Sequence, residues 1–478
     1  MKTLYELLYE YDETDYYPFH MPGHKRRPVT GNSTVWKEAH RIDITEIEGF
    51  DNLHHAEGII KLAQQRAARL YGAEESFFLI NGSTGGLLSA ISTVCECNKK
   101  VLVCRNSHKA VYNALCINKT QARYVWPTFM KEFDLMGKID PYEIKEVLEQ
   151  EKNISAVVIT SPTYDGVASD VKLIAEIVHQ YNIPLIVDEA HGAHFVFDDR
   201  FPESAVSAGA DIVINSTHKT LPAMTQTALL HVQGKIVDRE RLKNYLQMYQ
   251  TSSPSYVLMA SIDSCMEMLE KEGTRFFDAL FALRKKVDEL SLRLQCLQIV
   301  STEIVEPGKV IVSTKNTELS GQELYEILLN KYHIQMEMAG FNYVVGILTA
   351  MDTEEGVCRL VNALERIDEE LSSARNVGGS EEEAEDIHTE IDFYRVENAV
   401  AQTYYEAMNG KSEWIELSRA MGRVVGAMVV LYPPGIPVLV PGEIVKEETI
   451  QRIERALSKK MNVLGLSQGE NKICVLCE

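Results

Sequence analysis

Short apolar runs alternate with amphipathic segments between about residue 75 and residue 231 of this 478-residue chain. The apolar runs predict strands over residues 76–80, 101–104, 156–160, 184–188, 211–214 and 228–232. Because these runs are apolar throughout, they are typical of strands that are buried on both faces. Helical segments lie between them, and one opens with Asp140 as a helix cap and Pro141 in the first turn. This alternation predicts a largely parallel α/β sheet.

The pattern changes after about residue 270, which indicates further domains. Residues 276–297 predict a long amphipathic helix, and residues 309–313 and 343–348 predict strands of a smaller α/β unit. Small residues and an acidic run between 376 and 390 are typical of an exposed linker, with a regulatory acidic segment as the alternative. We therefore divide the chain into an N-terminal arm (1–45), a large domain (46–270), a small domain (271–375), the acidic linker (376–390) and a C-terminal domain (391–478).

Composition narrows the class of protein. The net charge of −21 argues against nucleic acid as a partner, and it suits either solubility or the attraction of a cationic substrate.

No apolar run approaches the roughly 18 residues needed to span a bilayer, and the first residues lack an apolar signal segment, so we expect a cytoplasmic protein without a membrane partner. Nine cysteines in so long a chain predict reduced, mostly buried thiols. Cys474 and Cys477 have metal-binding spacing but no second pair, so we expect no metal.

Four polar segments follow predicted strands of this sheet, where ligands bind in open α/β folds. The first is Asn81-Gly82-Ser83-Thr84-Gly85-Gly86, which we predict to be a turn before a helix that begins at Leu87. Its glycines allow close approach, its hydroxyls can donate, and a helix N-terminus favours an anion. The segment therefore suits a phosphate, although a structural glycine turn explains it equally well.

A second segment supplies a carboxylate, Asp188, which closes the run 184–187. A carboxylate buried at a strand end is costly unless it is paired, and a protonated pyridine nitrogen is a suitable partner. The alternatives are a turn-capping aspartate or, together with His191 and His194, a Mg²⁺ or Zn²⁺ site.

The remaining segments supply a lysine and an imidazole. Asn215-Ser216-Thr217-His218-Lys219 follows the strand over 211–214, and a lysine in such a cleft can form a Schiff base with an aldehyde. His108, in Arg105-Asn106-Ser107-His108-Lys109, can stack on a flat ring. Each signal is weak alone, because most lysines are solvated and most histidines are structural. Together, the four segments form the set needed to hold an aldehyde-bearing pyridine phosphate.

With these segments the chain resembles the fold-type I pyridoxal-phosphate enzymes, and closely the bacterial ornithine/lysine/arginine decarboxylases. The motifs extend over nearly the whole chain and are Phe19-His20-Met21-Pro22-Gly23-His24-Lys25, Asp43-Ile44-Thr45-Glu46, Leu53-His54-His55-Ala56-Glu57-Gly58, Gly82-Ser83-Thr84, Ser107-His108-Lys109, Asp188-Glu189-Ala190-His191, Ser216-Thr217-His218-Lys219, Ser252-Ser253-Pro254 and Tyr432-Pro433-Pro434-Gly435-Ile436-Pro437. The resemblance implies an aspartate-aminotransferase-like large domain with a mostly parallel sheet, a smaller α/β domain and a C-terminal α+β domain.

The resemblance also implies roles for individual residues. Lys219 would be the Schiff-base lysine, Asp188 would bind the pyridine nitrogen, and His108 would stack on the ring of pyridoxal 5′-phosphate. The phosphate would be held by Ser83, Thr84, Ser216 and His218. His191 stands where some relatives carry a tryptophan beside the cofactor, so its role is open.

The same resemblance implies an oligomeric state for the protein. Ser252 and Ser253 would complete the phosphate site of the neighbouring subunit, which makes a homodimer the smallest active unit. Large relatives carry an N-terminal wing domain that builds decamers. This chain resembles the short form without it, so we do not expect a decamer. The short form is associated with arginine decarboxylation and polyamine synthesis.

The implied activity is a carboxy-lyase reaction on a basic amino acid, with arginine preferred over lysine or ornithine. Lys219 or His218 would return a proton to the α-carbon, and Glu416 and Glu443 are candidates for binding the cationic side chain. An aminotransferase on the same fold is one alternative, and a catalytically silent binding protein is another. A metal hydrolase would leave Lys219 unexplained.

Overall fold

A computed structural model of the chain describes residues 15, 17–19, 46, 50–301, 303, 305–377, 395–432, 435–467 and 471–477. In chain order, its strands are β1 Tyr17–Pro18, β2 Glu75–Leu79, β3 Lys100–Cys104, β4 Gln121–Val125, β5 Pro127–Met130, β6 Leu135–Ile139, β7 Ile154–Thr160, β8 Leu185–Asp188, β9 Ile212–Asn215, β10 Ala228–Val232, β11 Gln298–Ile299, β12 Lys309–Ser313, β13 Ile334–Gln335, β14 Met338–Ala339, β15 Tyr343–Ile347, β16 Ser412–Glu416, β17 Val429–Tyr432, β18 Ile436–Leu439, β19 Asn462–Leu464 and β20 Lys472–Leu476. Its α-helices are α1 Ile59–Tyr71, α2 Gly82–Val94, α3 Lys109–Ile117, α4 Pro141–Gln150, α5 Val171–His179, α6 Thr217–Thr220, α7 Arg239–Tyr249, α8 Tyr256–Glu272, α9 Asp278–Ser291, α10 Gly321–Tyr332, α11 Glu354–Val377, α12 Tyr404–Asn409 and α13 Glu447–Ser458.

A seven-stranded sheet forms the centre of the molecule, in the order β2-β10-β9-β8-β7-β3-β4. Neighbouring strands from β9 to β4 pair in parallel, and β10 runs antiparallel to both β2 and β9. All six predicted strands are present, each within two residues of its predicted bounds. The mostly parallel sheet is therefore confirmed. The edge strand β4 was not predicted, because most of its residues alternate between exposed and partly buried positions.

Both faces of this sheet are covered, which explains the apolar runs. Ile186 packs into a core with helices α2 and α7, whereas its neighbours Leu185 and Val187 pack into a second core with α4 and α5. Successive strand residues point to opposite faces, so a strand with a core on each side needs an apolar residue at every position.

Two predicted helix boundaries are wrong. Helix α2 begins at Gly82 rather than Leu87, so the predicted turn is the first turn of the helix. A Cβ on Gly86 would lie 2.5 Å from Leu79 Cδ1, so glycine serves close helix–sheet packing there. The long helix predicted over 276–297 is a short 3-10 segment followed by α9, which ends at Ser291. The Asp368 carboxylate accepts hydrogen bonds from the N–H groups of residues 295, 296 and 297, and this holds them outside the helix.

A smaller antiparallel sheet, in the order β11-β12-β15-β14, forms the second α/β unit and contains both predicted strands. The first described residues pack on it: β1 pairs in parallel with β13, and Tyr17 donates a hydrogen bond to Asp352 at 2.5 Å. One apolar core joins this unit to the large sheet through helices α1, α8, α9 and α11. Helix α8 also continues across residue 270. The proposed domain division stays a prediction.

The C-terminal residues form an α+β unit with a β16–β20 pair, a β18-β17-β19 sheet and helix α13. Most of the predicted acidic linker and N-terminal arm, the motifs 20–25 and 43–45, and residues 433–434 lie outside the described residues. Within the part of the chain that is described, no helix is long and apolar enough to cross a membrane.

Candidate active site

The carboxyl ends of β2, β3, β8 and β9 meet along one edge of the central sheet, because these strands run in the same direction. Each of the four predicted polar segments lies at one of these ends. Strands β8 and β9 are direct neighbours, so Asp188 and the segment that carries Lys219 come from adjacent strands.

Lys219 lies in α6, the single helical turn that follows β9. Its Nζ is 3.0 Å from His191 Nε2. Burial lowers the pKa of Lys219 to about 8; Asp188 opposes this effect and the nearby cation of Lys309 adds to it. An appreciable fraction of the amine is therefore unprotonated near neutral pH, which is the form that attacks an aldehyde.

Asp188 is the last residue of β8 and is buried. The Ala190 N–H donates to Asp188 Oδ1 at 3.2 Å. Burial raises the pKa of Asp188, and the charge of Lys219 only partly opposes this rise. A cation placed beside Asp188 would stabilise its ionised form, so the site fits a protonated pyridine nitrogen.

Hydroxyl groups from two distant segments meet at the start of α2. Ser83 Oγ lies 2.8 Å from Ser216 Oγ, although 133 residues separate them. Thr84 is exposed in the same helical turn, and Ser216 is buried. Two hydroxyls beside the N-terminus of a 13-residue helix form a suitable cradle for a phosphate. His218, also predicted at the phosphate, donates from Nδ1 to the Thr227 carbonyl oxygen at 2.8 Å.

His108 caps helix α3, with its Nδ1 accepting a hydrogen bond from the Ala110 N–H at 3.2 Å. Burial, with contributions from Lys219 and Lys109, lowers the pKa of His108 to about 4. The ring is therefore neutral near pH 7. A neutral, fixed ring is suited to stacking on a flat cofactor, and this role stays a prediction.

Three residues near Lys219 and His191 were not predicted from the sequence: Tyr164, Lys309 and Glu337. His191 lies between two lysines, Lys219 and the fully buried Lys309 of β12. Tyr164 packs edge-on against His191 with ring centroids 4.6 Å apart, and its hydroxyl donates to Glu337. The sequence does show that Lys309 begins an apolar strand. No feature near it in the sequence indicates that this strand lies close to Lys219.

The other four predicted residues have surroundings of their own in the single chain. Glu443 is buried in an ion pair with Arg105 at 3.2 Å, and Glu416 is exposed at the end of β16. Their proposed role in substrate binding stays a prediction, although the Glu443 carboxylate already has a structural partner. Ser252 and Ser253 are exposed beside the Leu53–His55 segment, where His54 Nε2 lies 2.8 Å from the Thr251 carbonyl oxygen.

The alternative of a metal site receives no support from the geometry. His191 is held by lysines, and His194 Nε2 lies 3.4 Å from Glu306 Oε2. Over the described residues, no group of three or more His, Cys, Asp or Glu side chains could hold a metal ion. All nine cysteines are free, and six of them are buried.

Comparison with known proteins identifies the family. The Orn/Lys/Arg decarboxylase major domain matches residues 2–334, and the C-terminal domain of the same family matches residues 384–462. A protein named arginine decarboxylase from Bacillus subtilis (strain 168) is 32% identical over 458 residues, which cover 94% of this chain and 92% of that protein. Another protein of that name, from Bacillus anthracis, is 30% identical over 478 residues, which cover 97% and 94%.

Solved structures agree on the fold. The constitutive lysine decarboxylase of Escherichia coli superposes with a TM-score of 0.76 at 20% identity, over 99% of this chain and 81% of that chain. The ureidoglycine-glyoxylate aminotransferase of Bacillus subtilis superposes with a TM-score of 0.54 at 14% identity, over 66% of this chain and 85% of that chain. The predicted fold class is confirmed, and the chain belongs to the Orn/Lys/Arg decarboxylase family.

Proposed function

We propose that this protein is a pyridoxal-phosphate-dependent carboxy-lyase that converts arginine to agmatine and CO₂. The observation that carries the proposal is the meeting of Lys219 and Asp188 at the ends of adjacent strands. Similarity over nearly the full chain to proteins named arginine decarboxylase supports the choice of substrate. Lysine and ornithine are the alternatives.

The described side chains fit the three chemical parts of the cofactor. When bound, pyridoxal 5′-phosphate supplies an aldehyde that condenses with amines and a ring that accepts the electrons released when CO₂ leaves. The Lys219 amine would hold the aldehyde, and Asp188 would keep the ring nitrogen protonated. Ser83, Thr84, Ser216 and His218 would bind the phosphate, and His108 would cover the ring.

The chain's own groups can then position the substrate and move one proton. Asp188 and Ser216 are buried, and charge interactions are stronger in such a water-poor environment. Lys219 and His218 share the turn α6, and both are candidates to return a proton to the α-carbon. The net charge of −21 favours the approach of a cationic amino acid.

We further infer a cytoplasmic homodimer that serves polyamine biosynthesis. Ser252 and Ser253 would complete the phosphate site of the partner subunit, and their exposure in the single chain supports this inference. A mixed dimer tests it. Chains carrying Lys219→Ala and chains carrying Ser252→Ala with Ser253→Ala should each be inactive, but mixing them should restore activity at one site. Failure of mixing to restore activity would contradict the shared site.

The substrate test is incubation of the purified protein and pyridoxal phosphate with arginine, lysine and ornithine in parallel. Agmatine and CO₂ as the main products support the proposal, whereas a keto acid would identify an aminotransferase. Lys219→Ala should remove both turnover and the visible absorption of the covalently held cofactor. Lys331→Ala, at an exposed lysine of α10, serves as the control and should retain both. A protein that neither binds the cofactor nor turns over any of the three would be a silent binding protein.

A further inference from the structure

A row of polar side chains leads from Lys219 into the smaller α/β unit. Lys219 Nζ lies 3.0 Å from His191 Nε2, and His191 Nδ1 lies 3.2 Å from Lys309 Nζ. Lys309 Nζ forms an ion pair with Glu306 Oε1 at 3.4 Å, and Glu306 Oε2 lies 3.4 Å from His194 Nε2. The row connects the proposed cofactor lysine to a buried ion pair that the proposed reaction does not use.

The backbone is shaped to hold this ion pair. Lys309 and Glu306 are both fully buried. Gly166 has a φ of +93°, and a Cβ there would lie 2.4 Å from Lys309 Cγ, so only glycine leaves room for the lysine. The Glu306 N–H donates to the Gly166 carbonyl oxygen at 2.9 Å, which fixes the same loop to the acidic partner.

Charge balance determines the state of Lys309. Burial alone would raise the pKa of Glu306, but Lys309, His194 and the Gly308 N–H together hold it below its ordinary value. Glu306 is therefore an anion, and Lys309 is the ammonium that neutralises it. An ammonium has three N–H donors and no lone pair. Lys309 can therefore only donate to His191 Nδ1.

Proton counting then determines the state of His191. Burial lowers the pKa of His191 well below its ordinary value, and the cations of Lys219 and Lys309 add to this effect. The ring is neutral and carries one proton, and because Nδ1 accepts, this proton is on Nε2. The Nε2–H faces Lys219 Nζ at 3.0 Å and can donate only to a nitrogen with a free lone pair.

We propose that Lys309 and Glu306 are positioning residues that act through His191 to favour the neutral amine form of the free Lys219 side chain. This inference rests on the proposed role of Lys219 in holding pyridoxal phosphate. A neutral Nζ can attack the aldehyde carbon directly; a C=N bond then replaces the C=O bond, and water leaves without an oxidant or reductant. The ion pair thus prepares the lysine for capture of the cofactor.

Other charged groups also face Lys219 and set the background for any pH effect. Asp188 from β8 and Glu337 from the β13–β14 turn favour its protonated form, whereas Lys309 opposes it. Lys219 also lies close enough to His108 and His191 to lower the pKa of each imidazole. Removing the Lys309–Glu306 pair as a unit leaves these other groups in place.

Competitive labelling with acetic anhydride, read by peptide mass spectrometry over a pH series, measures the pKa of Lys219 in the full-length chain freed of cofactor. We expect a value of about 8 in the unmodified chain. The double variant Lys309→Met with Glu306→Gln should raise it by about one unit, because a nearby cation has been lost. The reactivity of Lys219 at pH 7 should then fall about tenfold, since each pH unit below the pKa reduces the neutral fraction tenfold.

A second variant covers the case in which the double variant fails to fold. Lys309→Gln removes the cation beside His191 but keeps an amide that can donate to Glu306. The pKa of Lys219 should therefore rise here too. The matched control is Lys331→Met with Glu370→Gln, an exposed pair 2.7 Å apart, which should leave this pKa unchanged.

Capture of pyridoxal phosphate, followed by visible absorption against pH, should show the same upward shift of its midpoint. A folded variant with an unchanged Lys219 pKa would overturn the inference, as would ¹⁵N resonances showing the His191 proton on Nδ1. Absence of cofactor capture by the unmodified chain would instead contradict the proposed function. The labelling measurement does not depend on the cofactor, so the two failures are distinguishable.

Discussion

Two of the wholly or partly buried charge pairs in this structure differ in how their charges are balanced. One is the Arg105–Glu443 pair, between the large sheet and the C-terminal unit, and the other is Lys219 with Asp188. Both places draw on segments that end strands of the central sheet. The two pairs differ in how far hydrogen bonds and opposite charges offset the cost of burying each charge.

Arg105 is surrounded by partners. It donates to both Glu443 oxygens at 3.2 and 3.3 Å and to the Pro437 carbonyl oxygen at 2.7 Å. Its guanidinium also lies 5.3 to 5.7 Å from the ring centroids of Tyr112, Tyr124 and Trp126. Burial would lower the pKa of Arg105, but Glu443 and the tyrosines outweigh it and raise this pKa. The charge of Arg105 is therefore maintained, although burial still raises the pKa of Glu443.

At the candidate active site, burial outweighs the partner's charge for both members of the pair. It raises the pKa of Asp188 and lowers that of Lys219 to about 8, although each residue opposes the effect on the other. The pair is held towards neutrality and can respond to a bound ligand. The comparison teaches that incomplete balance of the charges, rather than burial itself, distinguishes the pair proposed to be functional.

Arg105→Met should have the largest effect of the changes considered, and the effect is on stability, because the variant leaves Glu443 buried without its partner. We expect a loss of about 3–5 kcal/mol in the free energy of unfolding, measured by urea denaturation. Adding Glu443→Leu should recover most of this loss, because no unpaired charge remains.

Arg423→Met is the matched control for this loss. Arg423 is paired with Glu413 at 2.8 Å in a partly exposed position, so its replacement should cost no more than about 1 kcal/mol. Equal losses from the two arginine variants would remove the distinction between a buried structural pair and a surface pair.

Asp188→Asn instead changes the pair that we propose to be functional. The amide keeps the shape of the side chain but cannot hold a pyridine nitrogen protonated, so we expect kcat to fall by about 10²–10³-fold. Stability should be retained, because a costly buried charge has been removed. Asp368→Asn, which weakens the contacts to residues 295–297, should show the reverse: lower thermal stability with unchanged kcat. An active Asp188→Asn enzyme would refute the assignment.

The smallest expected effect is a shift of the Lys219 pKa in the opposite direction. Glu337→Gln removes a carboxylate that raises the pKa of Lys219, so this pKa should fall by about 0.5 units. The pH midpoint for cofactor capture should move down, opposite to the shift expected on loss of Lys309. Glu355→Gln, at an exposed position in α11, should leave it unchanged. An upward shift with Glu337→Gln would show that the local charges act differently from this account.

The strand ends illustrate how far the sequence could be interpreted. Runs such as 184–188 are apolar at every position because both faces of the sheet are covered, so their location and the polar residues after them were predictable. The start of α2 and the edge strand β4 were not predictable. A glycine-rich first turn of a helix and an edge strand with alternating exposure have only weak local sequence signals.

The sequence by itself determined the order of the proposed site: a candidate phosphate segment at 81–86, His108, Asp188 and Lys219, all at strand ends of one mostly parallel sheet. Only the tertiary structure decided which groups surround Lys219. Lys309 reaches His191 across 118 residues, and Glu443 reaches Arg105 across 338. Such contacts depend on how separate units pack against each other. The local pattern of apolar residues indicates only which face of a helix or strand is buried, so it does not predict these contacts.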